Sequence, residues 1–327
     1  MSKQAPTRKA TDRARSVRAA LGAVLVRTLE ALLVVVVMAT IVFLVMRLVP
    51  GDPARLVLGD QASEAQLSAL RHKLGLDRPL YVQYAHFLKS LATLDFGESI
   101  RRPGVGAVAR VKLAVLPTAA LAGFAVLVGA AMGIIASIFA AGPFLGDKRR
   151  FVDRALVVLS ASPLLAFAPL VTYLLAARWR VLPLPGDPDA GALGLVFAGG
   201  LLSIPLAAQV GRVGRAALES LQKAPFLATA RAKGASRARV WLIHAVPAAS
   251  GPILTVVATQ LGALLGGAVV VERLFERPGL GTLLIEAYMS RDLPVLEATV
   301  VAAGALFVAV QALAAIAHAA IDPRVRR

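Results

Sequence analysis

The chain has 327 residues, 57% of them hydrophobic, and a mean hydropathy of +0.72, a composition that excludes an ordinary soluble domain and points to an integral membrane protein. Its net charge of +17 and pI near 11.3 would suggest a nucleic-acid partner in a soluble protein. Here the cations flank apolar runs and no aromatic-basic platform or DNA-binding motif accompanies them, so topology and attraction to anionic lipid account for the charge, with no nucleic acid involved. The absence of cysteine excludes disulfides and thiol chemistry.

Residues 1–27 carry Lys3, Arg8, Lys9, Arg13, Arg15 and Arg18 and read as a basic cytoplasmic arm. The apolar run that follows, Ala31–Val49, is too long for a signal h-region and has no Ala-x-Ala site after it, so residues 28–49 are expected to be an uncleaved first membrane helix. Residues 50–112 read as an ordered extracytoplasmic segment. Within it Ser63-Glu-Ala-Gln66 spells a capping box, opening a helix with Leu67, Leu70 and Leu74 on one stripe and an end at Gly75. Pro79 suits the start of a second helix whose apolar face is Leu80, Tyr84, Phe87, Leu88 and Leu91. This pair can contact a delivered substrate carrier or simply pack on the membrane bundle.

A helix needs about 20 apolar residues to cross a bilayer. Residues 113–321 supply five further windows, within Leu113–Gly146, over Ala155–Ala177, within Ala190–Gly211, over Ala248–Val271 and over Ala298–Ile321. The expected fold is an all-α polytopic membrane protein with six transmembrane helices. With both termini inside, the inner segments hold 21 Lys+Arg against 5 acids and the outer segments 15 against 12, as the positive-inside rule requires. Gly129-xxx-Gly133 and Gly262-xxx-Gly266 read as packing seams. Pro163, Pro169 and Pro205 read as kinks or as breaks re-satisfied by neighbours, and Gln209, Gln260 and Gln311 as interhelix hydrogen bonders or path-lining groups. Glu30 and Glu297, near span ends, are expected to snorkel.

Chemistry is sparse. His72, His86, His244 and His318 have no compact metal spacing, no GxSxG elbow occurs, and no Gly-Lys pair exists to build a phosphate loop. Any ATP-driven step would need a phosphate loop on another polypeptide. No compact substrate site can be named.

The most telling segment is Phe226-Leu-Ala-Thr-Ala-Arg-Ala-Lys-Gly234, polar and cationic between two membrane-length apolar runs. Phe226, Ala230 and Lys233 recur at helical spacing, offering an apolar knob, a small residue for close approach and a cation, and Gly234 can end the helix in a left-handed turn. Such a helix suits the grip of a soluble partner; lying on lipid headgroups is the plainer alternative.

Several motifs then align in order. Arg47-Leu-Val-Pro-Gly-Asp-Pro53, Leu74-Gly-Leu-Asp-Arg-Pro-Leu80 with Gln83-Tyr84, Asp95-Phe-Gly-Glu-Ser99, Thr229-Ala-Arg-Ala-Lys-Gly234, Val269-Val-Val-Glu-Arg-Leu-Phe275 with Pro278-Gly-Leu-Gly281, and Asp322-Pro-Arg-Val-Arg326 resemble the first membrane subunit of dipeptide, oligopeptide and nickel ABC importers. The resemblance covers nearly the whole chain and implies the type I importer permease fold in the bacterial cytoplasmic (inner) membrane. In that family the loop between helices four and five carries an EAAxxxG, nine residues, IxLP pattern, the EAA loop. Anchoring its glycine on Gly234 places the leading positions on Ala228, Thr229 and Ala230 and the last four on His244, Ala245, Val246 and Pro247, inside a coupling loop at 212–247. Spacing is kept, while Ala228 replaces the acid, His244 the isoleucine and Val246 the leucine. The resemblance thus assigns ATPase coupling to Phe226, Ala228, Thr229, Ala230, Lys233 and Gly234. It also implies a second permease subunit of similar fold, cytoplasmic ATP-binding subunits that hold ATP and magnesium, and an extracytoplasmic solute-binding protein that sets much of the cargo selectivity. A self-contained secondary transporter or channel is the rival, and it would place ionisable or broken-helix sites near the bilayer centre.

Overall fold

In the computed structural model, the residues described are Val26, 29–30, 32–48, 52–59 and 61–321. The basic arm apart from Val26, and the tail at 322–327, lie outside them. Apart from an isolated bridge between Glu98 and Gly106, the described residues are helical or irregular.

Helix α1 covers Leu32–Leu48 and is apolar. Three short helices follow, α2 (Pro53–Leu58), α3 (Glu64–Lys73) and α4 (Leu80–Thr93). The capping box forms: Ser63 Oγ accepts from the Gln66 N–H at 3.3 Å and Gln66 Oε1 accepts from the Ser63 N–H at 2.9 Å. At the other end of α3, Gly75 turns left-handed at φ +66° and Leu76 N–H reaches Arg71 O, the Schellman closure a glycine permits. Pro79 is the N-cap of α4, one position before the first helical residue. The apolar face of α4 is narrower than its sequence spacing suggests. Phe87 is buried and Tyr84 and Leu91 pack beside it, whereas Leu80 and Leu88 stay exposed. Phe43 of α1 meets Tyr84 edge-on at 5.3 Å and Phe87 at 5.2 Å, so the segment rests on α1 through aromatic contacts. Asp52 caps α2 and is gripped by Arg71 of α3 through Nε at 2.9 Å and Nη2 at 2.5 Å.

The remaining elements are α5 (Ala107–Ala141), α6 (Arg149–Ala161), α7 (Leu164–Thr172, continuing as a π turn Tyr173–Arg178), α8 (Gly191–Leu221), α9 (Pro225–Ala232), α10 (Arg237–Arg239), a π turn Val240–Ala245, α11 (Val246–Ala248), α12 (Ser250–Leu274), α13 (Leu280–Met289) and α14 (Leu293–Ile321). Of these, α5, α8, α12 and α14 are each long and apolar enough to cross a membrane. The window Ala155–Ala177 is not one straight helix, as its hydropathy alone would have it. It breaks by 110° between α6 and α7, and the pair makes a fifth candidate span only if taken together. The cause is local. Pro163 has no N–H to donate and forces Ser162 out of the helical region, to φ −80°, ψ 122°.

Glycine sets how closely α5 and α8 approach. A Cβ on Gly129 would lie 2.9 Å from Ser203 O, and one on Gly133 2.6 Å from Val210 Cβ. Gly262 faces Phe307 of α14 in the same way, while Gly266 faces open space, so the second seam uses only its first glycine. The core has two parts. One joins α5, α8, α9 and α12 through Leu121, Leu202, Leu206, Val210, Leu227 and Val271; the other joins α1, α4, α13 and α14 through Phe43, Phe87, Leu283 and Val295.

Buried acids stitch the second part together. Glu297 does not snorkel: its carboxylate pairs with Arg47 Nη1 of α1 at 3.2 Å, and Arg47 Nε also donates to Gln83 of α4. A charge beside a partner on a neighbouring helix gains more from the pair than from reaching for water. Asp292 is fully buried and accepts from Ser99 Oγ at 2.5 Å and Ile100 N–H at 3.0 Å, anchoring the loop before α5. Glu272 near the end of α12 is 1% exposed and accepts from Thr118 Oγ1 at 2.5 Å and from the N–H groups of Gly281 and Thr282 at 2.8 and 3.3 Å. It thereby caps α13 from outside the helix.

Candidate functional site: the segment between α8 and α12

Helix α8 ends at Leu221 and the chain turns within three residues. Ala224 is extended, as a residue preceding proline should be, and Pro225 occupies the first position of α9, where its missing N–H costs nothing. Leu227, 2% exposed, seats α9 on the core, with Ala224, Ala230 and Ala235 packing beside it. Phe226 is 44% exposed, and Ala228, Thr229, Lys233 and Gly234 are exposed as well.

This rearranges the expected contact stripe. Ala230 is half-buried toward the core instead of standing free between Phe226 and Lys233, because Leu227 draws that side of the helix inward. The outward stripe is Phe226, Thr229 and Lys233, spaced three and four residues apart. Thr229 Oγ1 donates to Pro225 O at 3.1 Å, which holds its side chain against its own helix.

Gly234 ends α9 at φ +81°. Its N–H donates to Arg231 O at 3.0 Å, and Ala235 N–H donates to Ala230 O at 3.1 Å, the paired bonds of a Schellman motif. Ser236 then caps α10, accepting from Arg239 N–H at 3.3 Å. Val240, Trp241 and Ala245 are buried and bind the π turn to the core. That turn precedes Pro247, whose ring would clash with a regular preceding helical turn, and the widened π geometry accommodates it. From Arg237 to Leu274 the chain is thus helical almost throughout, so α9 leads into α12 through one short, capped corner.

The same end of the molecule is braced by charge. Arg215 of α8 pairs with Asp153 of α6 and with Glu219 at 3.0 Å, Arg212 donates to Ser160 at 2.9 Å, and Gln222 donates to Ala141 O at 3.0 Å. The structure therefore gathers all six assigned coupling residues on one short helix and its terminal turn, five of them outward. Beside them sequence reading missed a cleft that brings Arg149, Arg231 and Arg237 together from three elements, a convergence that no single motif encodes. Among the described residues no group of three or more His, Asp or Glu is placed to hold a metal ion. Of the glutamines, Gln260 lines a cavity of about 180 Å³ beside the α6–α7 break, with Pro205, Leu206 and Gly267.

Residues 133–327 match the family described as binding-protein-dependent transport system inner membrane component, and residues 21–114 match the N-terminal region described for the same systems. The chain is 32% identical over 275 residues to the "Probable peptide ABC transporter permease protein y4tP" of Sinorhizobium fredii, covering 81% of this chain and 86% of that one. It is 32% identical over 273 residues to the glutathione transport system permease protein GsiC of Shigella boydii and of Escherichia coli K12, again covering 81% of this chain and 86% of each relative. A polytopic helical chain that matches over both regions, with the glycine-ended helix α9 lying within the longer match, belongs to the family of binding-protein-dependent transport system inner membrane components.

Proposed function

We propose that this chain is the membrane-spanning permease subunit of an ATP-driven, binding-protein-dependent importer, carrying peptides or a related small solute such as glutathione across the bacterial cytoplasmic membrane. The observation that carries the coupling role is the outward stripe Phe226, Thr229 and Lys233 on a helix seated by Leu227 and joined through one corner to α12. A rigid, exposed helix of this kind passes a push from a soluble partner into a membrane span.

In this reading α1, α5, the α6–α7 pair, α8, α12 and α14 are six spans, residues 50–112 are extracytoplasmic, and both termini are cytoplasmic. The chain forms half of the pathway with a second permease subunit of similar fold. Cytoplasmic subunits hold the ATP and magnesium, their closure moves α9, and a solute-binding protein delivers cargo to the outer face. The absence of any phosphate loop in the sequence supports a passive subunit.

Reconstitution tests this. The chain alone is expected to leave ATP untouched, whereas the assembled complex hydrolyses it faster when loaded binding protein is added. Nucleotide turnover by the isolated chain, or solute transport by it without ATPase subunits, would favour the self-contained transporter. Cysteines replacing Ser63 or Asp95 are expected to react with an impermeant reagent from outside, and those replacing Ser220 or Ser236 only after the membrane is opened; free outside labelling at Ser236 overturns the orientation.

A further inference from the structure

Beside the coupling helix opens a cleft of about 470 Å³, between the last residues of α5 and the start of α6. Its charged lining is Arg149, Arg231 and Arg237, Gln222 and Trp241 line it as well, and no carboxylate is among the lining residues. None of the three arginines has an ion pair among the described residues, whereas the nearby Arg215 is engaged by both Asp153 and Glu219. Three arginines lining one cleft without a carboxylate among the lining residues favour a ligand that carries negative charge.

Depth says what kind of ligand. Ala141 and Gly142, which close the cleft on one side, lie at the end of the apolar helix α5, so the arginines follow directly on a membrane-length apolar run. Phe139 and Phe144 are exposed there, and Phe144 meets the buried Trp241 of the cleft wall edge-on at 6.2 Å, so exposed apolar rings flank the cleft on the α5 side. Arg231 also stands about 140° around α9 from Phe226 at 100° per residue, so a partner gripping the Phe226 side leaves the cleft free.

We propose that this cleft binds the phosphate of an anionic phospholipid headgroup, with the guanidinium forks of Arg149, Arg231 and Arg237 as its donors. The inference rests on reading α5 as a membrane span and is independent of whether α9 couples to an ATPase. A bound headgroup would tie the α5–α6 corner to the far side of the coupling helix.

Native mass spectrometry of the full-length chain, titrated with phosphatidylglycerol, phosphatidylethanolamine or inorganic phosphate, tests the idea. Wild type is expected to hold one phosphatidylglycerol in preference to phosphatidylethanolamine. At about five-fold per cation near an anionic surface, the triple substitution Arg149→Gln, Arg231→Gln, Arg237→Gln should weaken that binding by about 100-fold. The control triple Lys148→Gln, Arg150→Gln, Arg154→Gln removes equal charge from residues outside the cleft lining and should leave it intact. If the triple variant does not fold, Arg237→Gln alone should still weaken binding about five-fold. Equal loss in both triples would mean diffuse surface attraction and overturn the site. Displacement by millimolar inorganic phosphate would mean a free-anion site. Unchanged lipid binding with lost ATPase-subunit association would mean a protein groove, which equally overturns the proposal.

Discussion

Replacing Glu272 with alanine removes the acceptor for three buried donors at once: Thr118 Oγ1 and the N–H groups of Gly281 and Thr282. Each orphaned donor costs on the order of 1–3 kcal/mol, so the change is worth about 3–9 kcal/mol before any cavity term. That is comparable with the whole stability of many domains. The fit is close in the native chain, where the carboxylate fills the space a Cβ on Gly279 or Gly281 would take, with Oε2 2.3 and 2.9 Å from those positions. Glu272→Gln provides the contrast. Its amide oxygen can keep the two backbone donors while its NH₂ donates to Thr118 Oγ1, which already accepts from Leu280 N–H at 2.8 Å and has a second lone pair. Glu272→Gln should therefore lose about 1–2 kcal/mol. Thermal unfolding of the detergent-purified chain, followed by size-exclusion fluorescence, distinguishes them. At roughly 2 °C per kcal/mol, alanine should lower the midpoint by at least about 6 °C and glutamine by about 2–4 °C. Proteolysis should also open the α12–α13 connection in the alanine variant. If alanine melts with wild type, the carboxylate is not holding α13 and the hydrogen-bond argument fails.

Three further outcomes follow from the geometry. Phe226→Ala should leave abundance unchanged, since the ring is exposed, yet reduce copurification of ATPase subunits; Gly234→Val should do the same while costing about 1–2 kcal/mol locally, because the position needs φ +81° although a Cβ there meets nothing within 4 Å. Gly133→Ala drives a Cβ to 2.6 Å from Val210 and 2.7 Å from Ala207 O and should destabilise by about 1–3 kcal/mol, whereas Gly266→Ala, facing open space, should be neutral or stabilising in the same melting assay. The Arg71 hydrogen bonds hold the Asp52 carboxyl below its ordinary range, so its contribution is present above the unfolded value of about 3.9 and is lost as pH falls through the lower folded value. Hydrogen exchange in residues 53–73, corrected for intrinsic rate, should rise below about pH 4 in wild type, and Asp52→Asn should show that raised exchange already at neutral pH.

The local chemistry of this fold was legible wherever one residue type has one physical use. The capping box at Ser63 and Gln66, the left-handed turns at Gly75 and Gly234, and the α5–α8 seam at Gly129 and Gly133 follow from properties that hold in any context. Hydropathy located the apolar runs for the same reason. It could not show the 110° break at Ser162–Pro163, since average apolarity is blind to direction and proline in a membrane helix yields either a mild kink or a full break. Nor could it pair acids with partners. Glu297 reads as a snorkelling span-end residue until Arg47, 250 positions away, is brought to 3.2 Å, and Ala230 reads as outward until Leu227 fixes which side of α9 faces the core.

The pairing of Glu272 with Gly279 and Gly281 gives a physical reason for two motifs that sequence reading could only set side by side. Val269–Phe275 and Pro278–Gly281 occur together because a carboxylate reaching back to cap α13 needs backbone, not side chains, at its landing site. This matters for the proposed mechanism, since α12 then has a fixed attachment at each end. At its start it continues from the corner that carries Phe226 and Lys233, and near its end Glu272 binds α13 and, through Thr118, α5. Its 25 helical residues span about 37 Å at 1.5 Å per residue, close to the thickness of a bilayer. Under the proposed coupling, a displacement of α9 passes through one capped corner to the far end of α12, and loosening either attachment should uncouple the two ends.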